Sequence, residues 1–299
     1  MKTFFQKIFL LGVMMLLALG ASATPDRNYL CFTANTAPST VRLCSMAMEK
    51  DPDPVQLEYS SDGNVWLEYY IGVSISLDNP GDKVYFRNAA DNVAEGFSSL
   101  SGYYQFEMSG SIAASGNIMS LIDKSVEATA IPCTRCFSHL FESCSALTSA
   151  PELPATTLAE GCYDTMFADC RNLTTAPALP ATTLSPFCYS AMFASCRALV
   201  LAPELPATTL AYGCYGNMFR NCISLTTAPA LPATTLAYGC YEDIFNGCKK
   251  LNKVEVSFAD WGESHTANWL NGVAAMGDFI CPDGLSKQMG AQWKKAGGR

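Results

Sequence analysis

The sequence predicts an α/β protein: a solenoid of short parallel strands and short helices, preceded by a small all-β, sandwich-like domain. Two observations predict this organisation. A 26-residue pattern recurs five times, and its copies begin at Cys136, Cys162, Cys188, Cys214 and Cys240. A period of this length is typical of one supersecondary unit that stacks on copies of itself. Upstream of the repeats, alternating apolar and polar residues separated by turn signals indicate short strands.

The first 23 residues are typical of a secretory signal. Lys2 and Lys7 give a positive amino-terminal region, Ile8–Leu19 is apolar, and a small-residue cleavage site ends at Ala23. The apolar run is short for a membrane span, so we expect no stable membrane insertion. An uncleaved anchor is the alternative interpretation. After cleavage near Ala23, the protein is expected to be secreted or held at the cell surface, with the periplasm as another location.

Residues 24–108 form the predicted sandwich-like domain. Asp62-Gly63 lies between two alternating runs and predicts a hairpin, and Pro80-Gly81-Asp82 marks another turn. Several short strands within so few residues favour two packed sheets. The predicted strands are Tyr29–Ala34, Thr40–Met46, Val55–Ser60, Val65–Tyr70, Val73–Leu77, Lys83–Arg87 and Tyr103–Met108.

Residues 136–260 hold the five repeats, between an amino-terminal cap at 109–135 and a carboxy-terminal cap at 261–299. In the second repeat, apolar residues recur every four positions. On a helix they would share one face. They are Leu158, Cys162, Met166 and Cys170, with Tyr163 and Phe167 beside them. The pattern predicts a short helix entered through Thr156 or Thr157 as N-cap.

The other half of each repeat is predicted to be extended. Pro177 and Pro180 exclude a helix there, and each lacks the amide that a strand ladder needs. We therefore expect strands of about three residues around Thr174–Ala176. Strand, turn and helix in a repeat of this length form the leucine-rich repeat unit.

The segment from Phe167 through Cys170 and Leu173 to Leu179-Pro180 resembles BspA-like bacterial leucine-rich repeat surface proteins. Residues 269–284 and 103–122 look like the caps of such proteins from gut-dwelling Bacteroidetes. The repeat is longer here than is usual in that class. The resemblance implies an extracellular adhesion or recognition role. It supplies no catalytic residues.

Ten of the fourteen cysteines occupy two repeat positions and are predicted to be free, buried and inert. Cys31 and Cys44 flank a turn at Ala37-Pro38, and a symmetric hairpin would place them face to face. A cross-strand disulfide there is the alternative to free thiols. Cys133, Cys136, His139 and Cys144 have spacing like that of a zinc knuckle. Repeat packing explains Cys136 and Cys144 better, so no metal site is predicted.

Catalytic machinery is not predicted. The chain has only two histidines, its acidic residues are scattered, and it lacks a Gly-rich phosphate loop. We expect neither enzymatic activity nor a cofactor. A net charge of −8 disfavours nucleic acid and anionic lipid as partners. An extracellular protein or a glycan is the expected partner, and the oligomeric state stays open.

Of the two residues after each repeat leucine, one is predicted to face solvent on the open strand face. The candidate ligand-binding residues are Thr174, Thr175, Val200, Leu201, Thr226 and Thr227. Val200 and Leu201 are interpreted as an apolar anchor or, alternatively, as core residues. Glu152 and Glu204 follow a proline and form a weak acidic stripe. The Tyr163 series could stack on sugars, but its place on the apolar face favours packing.

The sequence therefore predicts a secreted or surface-held, non-catalytic recognition or adhesion protein. A self-assembling structural component of the surface is the first alternative, and a secreted hydrolase is the second.

Overall fold

The computed structural model describes residues 28–47, 55–90, 97, 102–259, 262–282 and 293–295. The predicted signal segment 1–23 lies outside the described residues. The fold is nearly all β, with 3 % helix and 27 % strand, in antiparallel and mixed sheets. The predicted α/β solenoid with short helices is therefore wrong. The described helices are one 3-10 turn, Ile118–Leu121, and one short α-helix, α1 (Glu263–Thr266).

The described residues of the amino-terminal part form eight strands in two sheets. They are β1 (Leu30–Ala34), β2 (Ser39–Ala47), β3 (Leu57–Ser60), β4 (Leu67–Tyr69), β5 (Ile75–Leu77), β6 (Lys83–Asn88), β7 (Gly102–Ser109) and β8 (Ile112–Ser115). One sheet has the order β5-β2-β7, and the other begins β4-β3-β6-β1-β8. The seven predicted strands are confirmed to within two residues at each end, whereas β8 was not predicted.

The predicted turn at Asp62-Gly63 is confirmed, because β3 and β4 pair as an antiparallel hairpin with Tyr59 opposite Leu67. The Asp62 carboxylate accepts hydrogen bonds from the amides of Asn64 and Val65 at 2.8 and 2.9 Å. These bonds fix the loop and hold the pKa of Asp62 below its usual value.

The predicted hairpin between Cys31 and Cys44 is wrong. Strand β1 pairs with β6 and β8, whereas β2 pairs with β5 and β7, so the two cysteines lie in different sheets. Both strands carry a fully buried apolar face, with Phe32 on β1 and Leu43 on β2. The connection therefore takes the chain from one sheet to the other, and the strands do not pair edge to edge. Both thiols are free.

The predicted helix in the second repeat is also wrong, because this segment is a series of turns. The Cys162 amide donates to the Ala159 carbonyl at 3.3 Å, and the Asp164 amide donates to Gly161 at 3.0 Å. The intervening Tyr163 amide donates to Cys188 of the next repeat at 3.0 Å. Successive amides thus donate in turn to the carbonyl three residues earlier and to a carbonyl of the next repeat. An α-helix would bond every amide within the segment.

Every fourth residue of this segment adopts the left-handed conformation. The φ angles are +58° at Gly161, +59° at Thr165 and +60° at Asp169. At each of these residues the chain changes direction, so one turn is completed every four residues. Each turn therefore places one apolar side chain in the interior. The apolar period of four matches these turns, whereas a helix has a period of 3.6. Thr156 and Thr157 are exposed and cap no helix.

The extended halves of the repeats form a parallel ladder. Single-residue bridges connect Ser149, Thr175, Leu201, Thr227 and Lys253 in that order. The ladder begins at β9 (Leu147–Ser149), which pairs with β8, and continues into β10 (Lys253–Glu255), β11 (Gly277–Ile280) and β12 (Trp293–Lys295). The middle strands shrink to one bridged residue each because proline provides no amide.

Two columns of stacked rings fill the interior of the repeats. One column has ring centroids 5.3–5.8 Å apart. It contains Phe106, Phe141, Phe167, Phe193, Phe219 and Phe245. The second contains Phe137 and the predicted tyrosine series Tyr163, Tyr189, Tyr215 and Tyr241. The prediction that these tyrosines pack in the core is confirmed, since each is about 1 % exposed.

A column of thiols runs beside the phenylalanines. Each thiol donates to the carbonyl oxygen of a phenylalanine, at 2.8–3.1 Å. The acceptor lies in the preceding repeat or, for the first thiol, on β7. The donors are Cys144, Cys170, Cys196, Cys222 and Cys248. The predicted burial of the ten repeat cysteines is confirmed, and cysteine is small enough to fit between stacked chains and still supply a donor.

Candidate functional site

The strand face is the surface on which the predicted ligand-binding residues come together. Thr175, Leu201 and Thr227 are bridged neighbours in the ladder. Thr174, Val200 and Thr226 each precede one of them, so the six residues form two adjacent columns. Neighbouring strands lie about 4.8 Å apart, and the six residues therefore cover one compact patch.

Val200 and Leu201 form an apolar centre in this polar patch. They are 46 % and 67 % exposed, whereas Leu199 is fully buried. The interpretation of these two residues as core is therefore wrong. A polar surround with an apolar centre is typical of recognition surfaces.

Two shallow grooves run beside the strand face, between successive Ala-Pro-x-Leu-Pro segments. One encloses about 380 Å³, and its lining includes residues 176–180, Pro203, Glu204 and Pro206. The next encloses about 280 Å³ between residues 150–154 and Pro177, Ala178 and Pro180. The grooves share these last three residues, so together they make one proline-lined strip along the repeats.

The two glutamates of the predicted stripe line these grooves but differ in their contacts. The Glu152 carboxylate accepts a hydrogen bond from the side-chain amide of Asn28 at 2.6 Å. Glu204 is exposed and has no hydrogen-bond partner within the described residues. Glu204 is therefore the carboxylate available to a ligand next to Leu201.

One row of equivalent residues beside the strand face carries a cation in three of the five repeats, a feature that the repeat pattern alone did not indicate. Arg171, Arg197 and Lys249 occupy the same repeat position, two residues before the buried leucine. The Arg171 guanidinium forms two hydrogen bonds with Asp169, at 2.9 and 3.0 Å. Aligning the repeats by position would have revealed this row.

A second missed feature is a set of exposed aromatic residues at the start of the turn segments. Phe187, Tyr212 and Tyr238 are 39 %, 48 % and 58 % exposed. Their positions vary between repeats, so the repeat pattern does not single them out.

The candidate zinc ligands have other partners. The His139 Nδ1 atom lies 2.7 Å from a Glu142 carboxylate oxygen, and its ring stacks on Tyr103. The Cys144 thiol donates to the Phe106 carbonyl. In the described ranges, no group of three or more His, Cys, Asp or Glu side chains is arranged to hold a metal ion.

None of the helices in the described part of the chain has the length and apolar composition that a bilayer span requires.

Comparisons of the chain with protein-family models, with curated proteins and with solved structures give no match.

Proposed function

We propose that this chain is a non-catalytic recognition protein that binds an extracellular protein or glycan through the strand face. The observation that carries the proposal is the exposure of Val200 and Leu201 at the centre of a threonine-lined patch. Burying one such side chain in a complex yields about 1.5–3 kcal/mol. The adjacent groove and the Glu204 carboxylate supply shape and polar contacts around that anchor.

The contacts of the two histidines support a non-catalytic role. His139 is held by Glu142 and Tyr103, and the His265 ring nitrogen Nδ1 lies 3.0 Å from the Ala237 carbonyl oxygen. Both imidazoles therefore take part in packing and hydrogen bonding, His139 in the first repeat and His265 in the carboxy-terminal cap.

A secreted or surface location is part of the proposal. It rests on the signal-like composition of residues 1–23. The resemblance to BspA-like surface proteins points to the same role and stays a prediction.

The test is an array of glycans and extracellular-matrix proteins probed with the wild type and with Val200→Thr/Leu201→Thr. We expect the variant to lose at least about tenfold in affinity, or about 1.4 kcal/mol. The matched control is Val65→Thr/Leu67→Thr, which alters two equally exposed apolar residues of the β3–β4 hairpin. Equal binding by the wild type and the Val200/Leu201 variant would exclude the strand face as the binding site.

Self-assembly is the second candidate, because β4 is an edge strand of its sheet and carries the exposed Leu67. An unprotected edge with an apolar side chain is a template for pairing with another chain. Sedimentation over a range of concentrations should show growth in mass that Leu67→Lys suppresses. A constant monomer mass would exclude this candidate.

A further inference from the structure

A second exposed surface lies at the start of the turn segments, away from the strand ladder. We call it the aromatic row, and it consists of Phe187, Tyr212 and Tyr238. The Tyr212 and Tyr238 rings are parallel, with centroids 5.3 Å apart. Phe187 meets Tyr212 edge to face at 4.9 Å. Aromatic residues this exposed are more typical of interfaces than of ordinary surface.

The backbone holds this row in register. The Phe187 amide donates to the Tyr212 carbonyl, and the Gly213 amide donates to the Tyr238 carbonyl, both at 2.9 Å. The three rings are therefore positioned before any partner arrives, which lowers the entropy cost of binding.

Phe187 occupies a strained position. Its φ angle is +54°, and the equivalent residues of three other repeats are Gly161, Gly213 and Gly239. A bulky side chain in this conformation is strained, because its Cβ crowds the backbone. The ring also needs Gly213 beneath it, because a Cβ at Gly213 would stand 2.5 Å from a Phe187 ring carbon. Because Phe187 is 39 % exposed, the partial burial of its ring offsets only part of this backbone strain.

Carboxylates flank both ends of the row. Glu160 occupies the Tyr212 position two repeats earlier. At the other end, a Glu242 carboxylate oxygen lies 3.7 Å from where a Cβ would stand on Gly239. Glu263 precedes Ser264, whose carbonyl accepts from the Gly239 amide at 2.7 Å.

Two basic residues lie near these carboxylates. Arg135 occupies the Phe187 position two repeats earlier, beside Glu160, to whose carbonyl its amide donates at 2.8 Å. His265 directs its ring to the Ala237 carbonyl. Three carboxylates against one permanent cation leave the rim of the row acidic.

We infer that the aromatic row is a docking site for a polypeptide segment that presents arginine or lysine beside an apolar side chain. Tyrosine and phenylalanine provide the apolar contact area, and the glutamates attract the cation. Parallel stacking covers only the facing sides of Tyr212 and Tyr238. The acidic rim attracts a cationic side chain, which a neutral glycan lacks, so the charge favours a polypeptide.

The test is selection of peptides from a random 12-residue display library against the full chain. We expect the enriched peptides to carry arginine or lysine next to an apolar residue. Their affinity should fall at least about tenfold for Tyr212→Ser/Tyr238→Ser. It should also fall when salt rises or when Glu242 and Glu263 are changed to glutamine.

Two controls separate this site from general effects. Tyr70→Ser changes an equally exposed tyrosine of the amino-terminal domain and should leave affinity unchanged. Val200→Thr/Leu201→Thr should also leave it unchanged, so this site and the strand face can fail independently. Phe187→Gly introduces the glycine that three other repeats have at this position. The variant should keep the fold and bind the peptides with lower affinity.

Four outcomes would overturn the inference. They are no enrichment of any peptide, enriched peptides without cationic residues, full binding by Tyr212→Ser/Tyr238→Ser, and displacement of the peptides by a neutral oligosaccharide.

Discussion

The Cys196 thiol donates a hydrogen bond to the Phe167 carbonyl oxygen of the preceding repeat, at 3.1 Å. The same carbonyl accepts the amide of Cys170 at 3.1 Å. The thiol therefore supplies a second bond to an oxygen that already has one, and it joins two repeats through the interior. This contact explains a cysteine at that position without a disulfide.

Replacing Cys196 with alanine should lower the free energy of unfolding by about 1–2 kcal/mol. The change removes the cross-repeat hydrogen bond and leaves a small void in a fully buried position. Urea unfolding followed by circular dichroism measures it. The control is Cys44→Ala, at a half-buried site outside the thiol column, which should cost less. An equal cost at both sites would show that the column has no special role.

Alkaline pH should destabilise the fold. Burial raises the pKa of Cys144, Cys162 and Cys248 from 9.0 to about 12. Between these pH values the folded protein keeps protons that the unfolded chain releases, so the free energy of unfolding falls as pH rises through the window. Each thiol contributes about 1.4 kcal/mol per pH unit.

Urea unfolding at a series of pH values from 7 to 11 should show this loss, beginning near pH 9. Cys144→Ala/Cys248→Ala should have a shallower pH dependence than the wild type, because two of the linked groups are gone. A free energy of unfolding that stays constant above pH 9 would contradict the prediction.

Tyr163→Phe should stabilise the protein by about 1 kcal/mol. The Tyr163 hydroxyl is buried and has no hydrogen-bond partner among the described residues. Phenylalanine keeps the ring stack with Phe137 and Tyr189 and removes the unpaired group. Thermal unfolding should show a higher melting temperature. A lower one would mean that the hydroxyl has a partner such as a bound water.

Thr165→Gly distinguishes the turn architecture from a helix. Thr165 has a φ of +59°, so glycine should relieve strain and raise the stability by about 1 kcal/mol. In a helix interior the same change would lower the stability by about 0.5–1 kcal/mol. Ala168→Gly is the control at a neighbouring residue without positive φ, and it should destabilise. Loss of stability in Thr165→Gly would favour the helix.

The sequence was informative where its pattern had a single structural solution. Alternation of buried and exposed residues located seven strands of the amino-terminal part, because only a half-buried strand has a period of two. Strand partners were harder, since Cys31 and Cys44 could pair within one sheet or pack across two. In the repeats, a period of four resembles a helical pattern, although successive residues at that spacing drift by about 40° around a helix. The residue types that favour left-handed turns, at Gly161, Asn217 and Asp243, indicate the turns that the structure contains.

The candidate site divides in the same way. The repeat register alone predicts that Thr175, Leu201 and Thr227 are neighbours, and the parallel ladder bridges them in that order. The aromatic row was missed because its residues are not shared by all repeats. Exposed positions are free to differ between repeats, and a surface specific to one partner is built from such positions.

The parallel ladder starts on the amino-terminal sheet at β8 and β9 and runs without an interruption into the repeats. The two parts therefore share one hydrogen-bonded seam. Proteolytic cleavage in the chain between β8 and β9 would not separate the two fragments, because backbone hydrogen bonds between the strands still hold them together. Separating them would expose an unpaired strand edge on each fragment, and both fragments would then tend to aggregate.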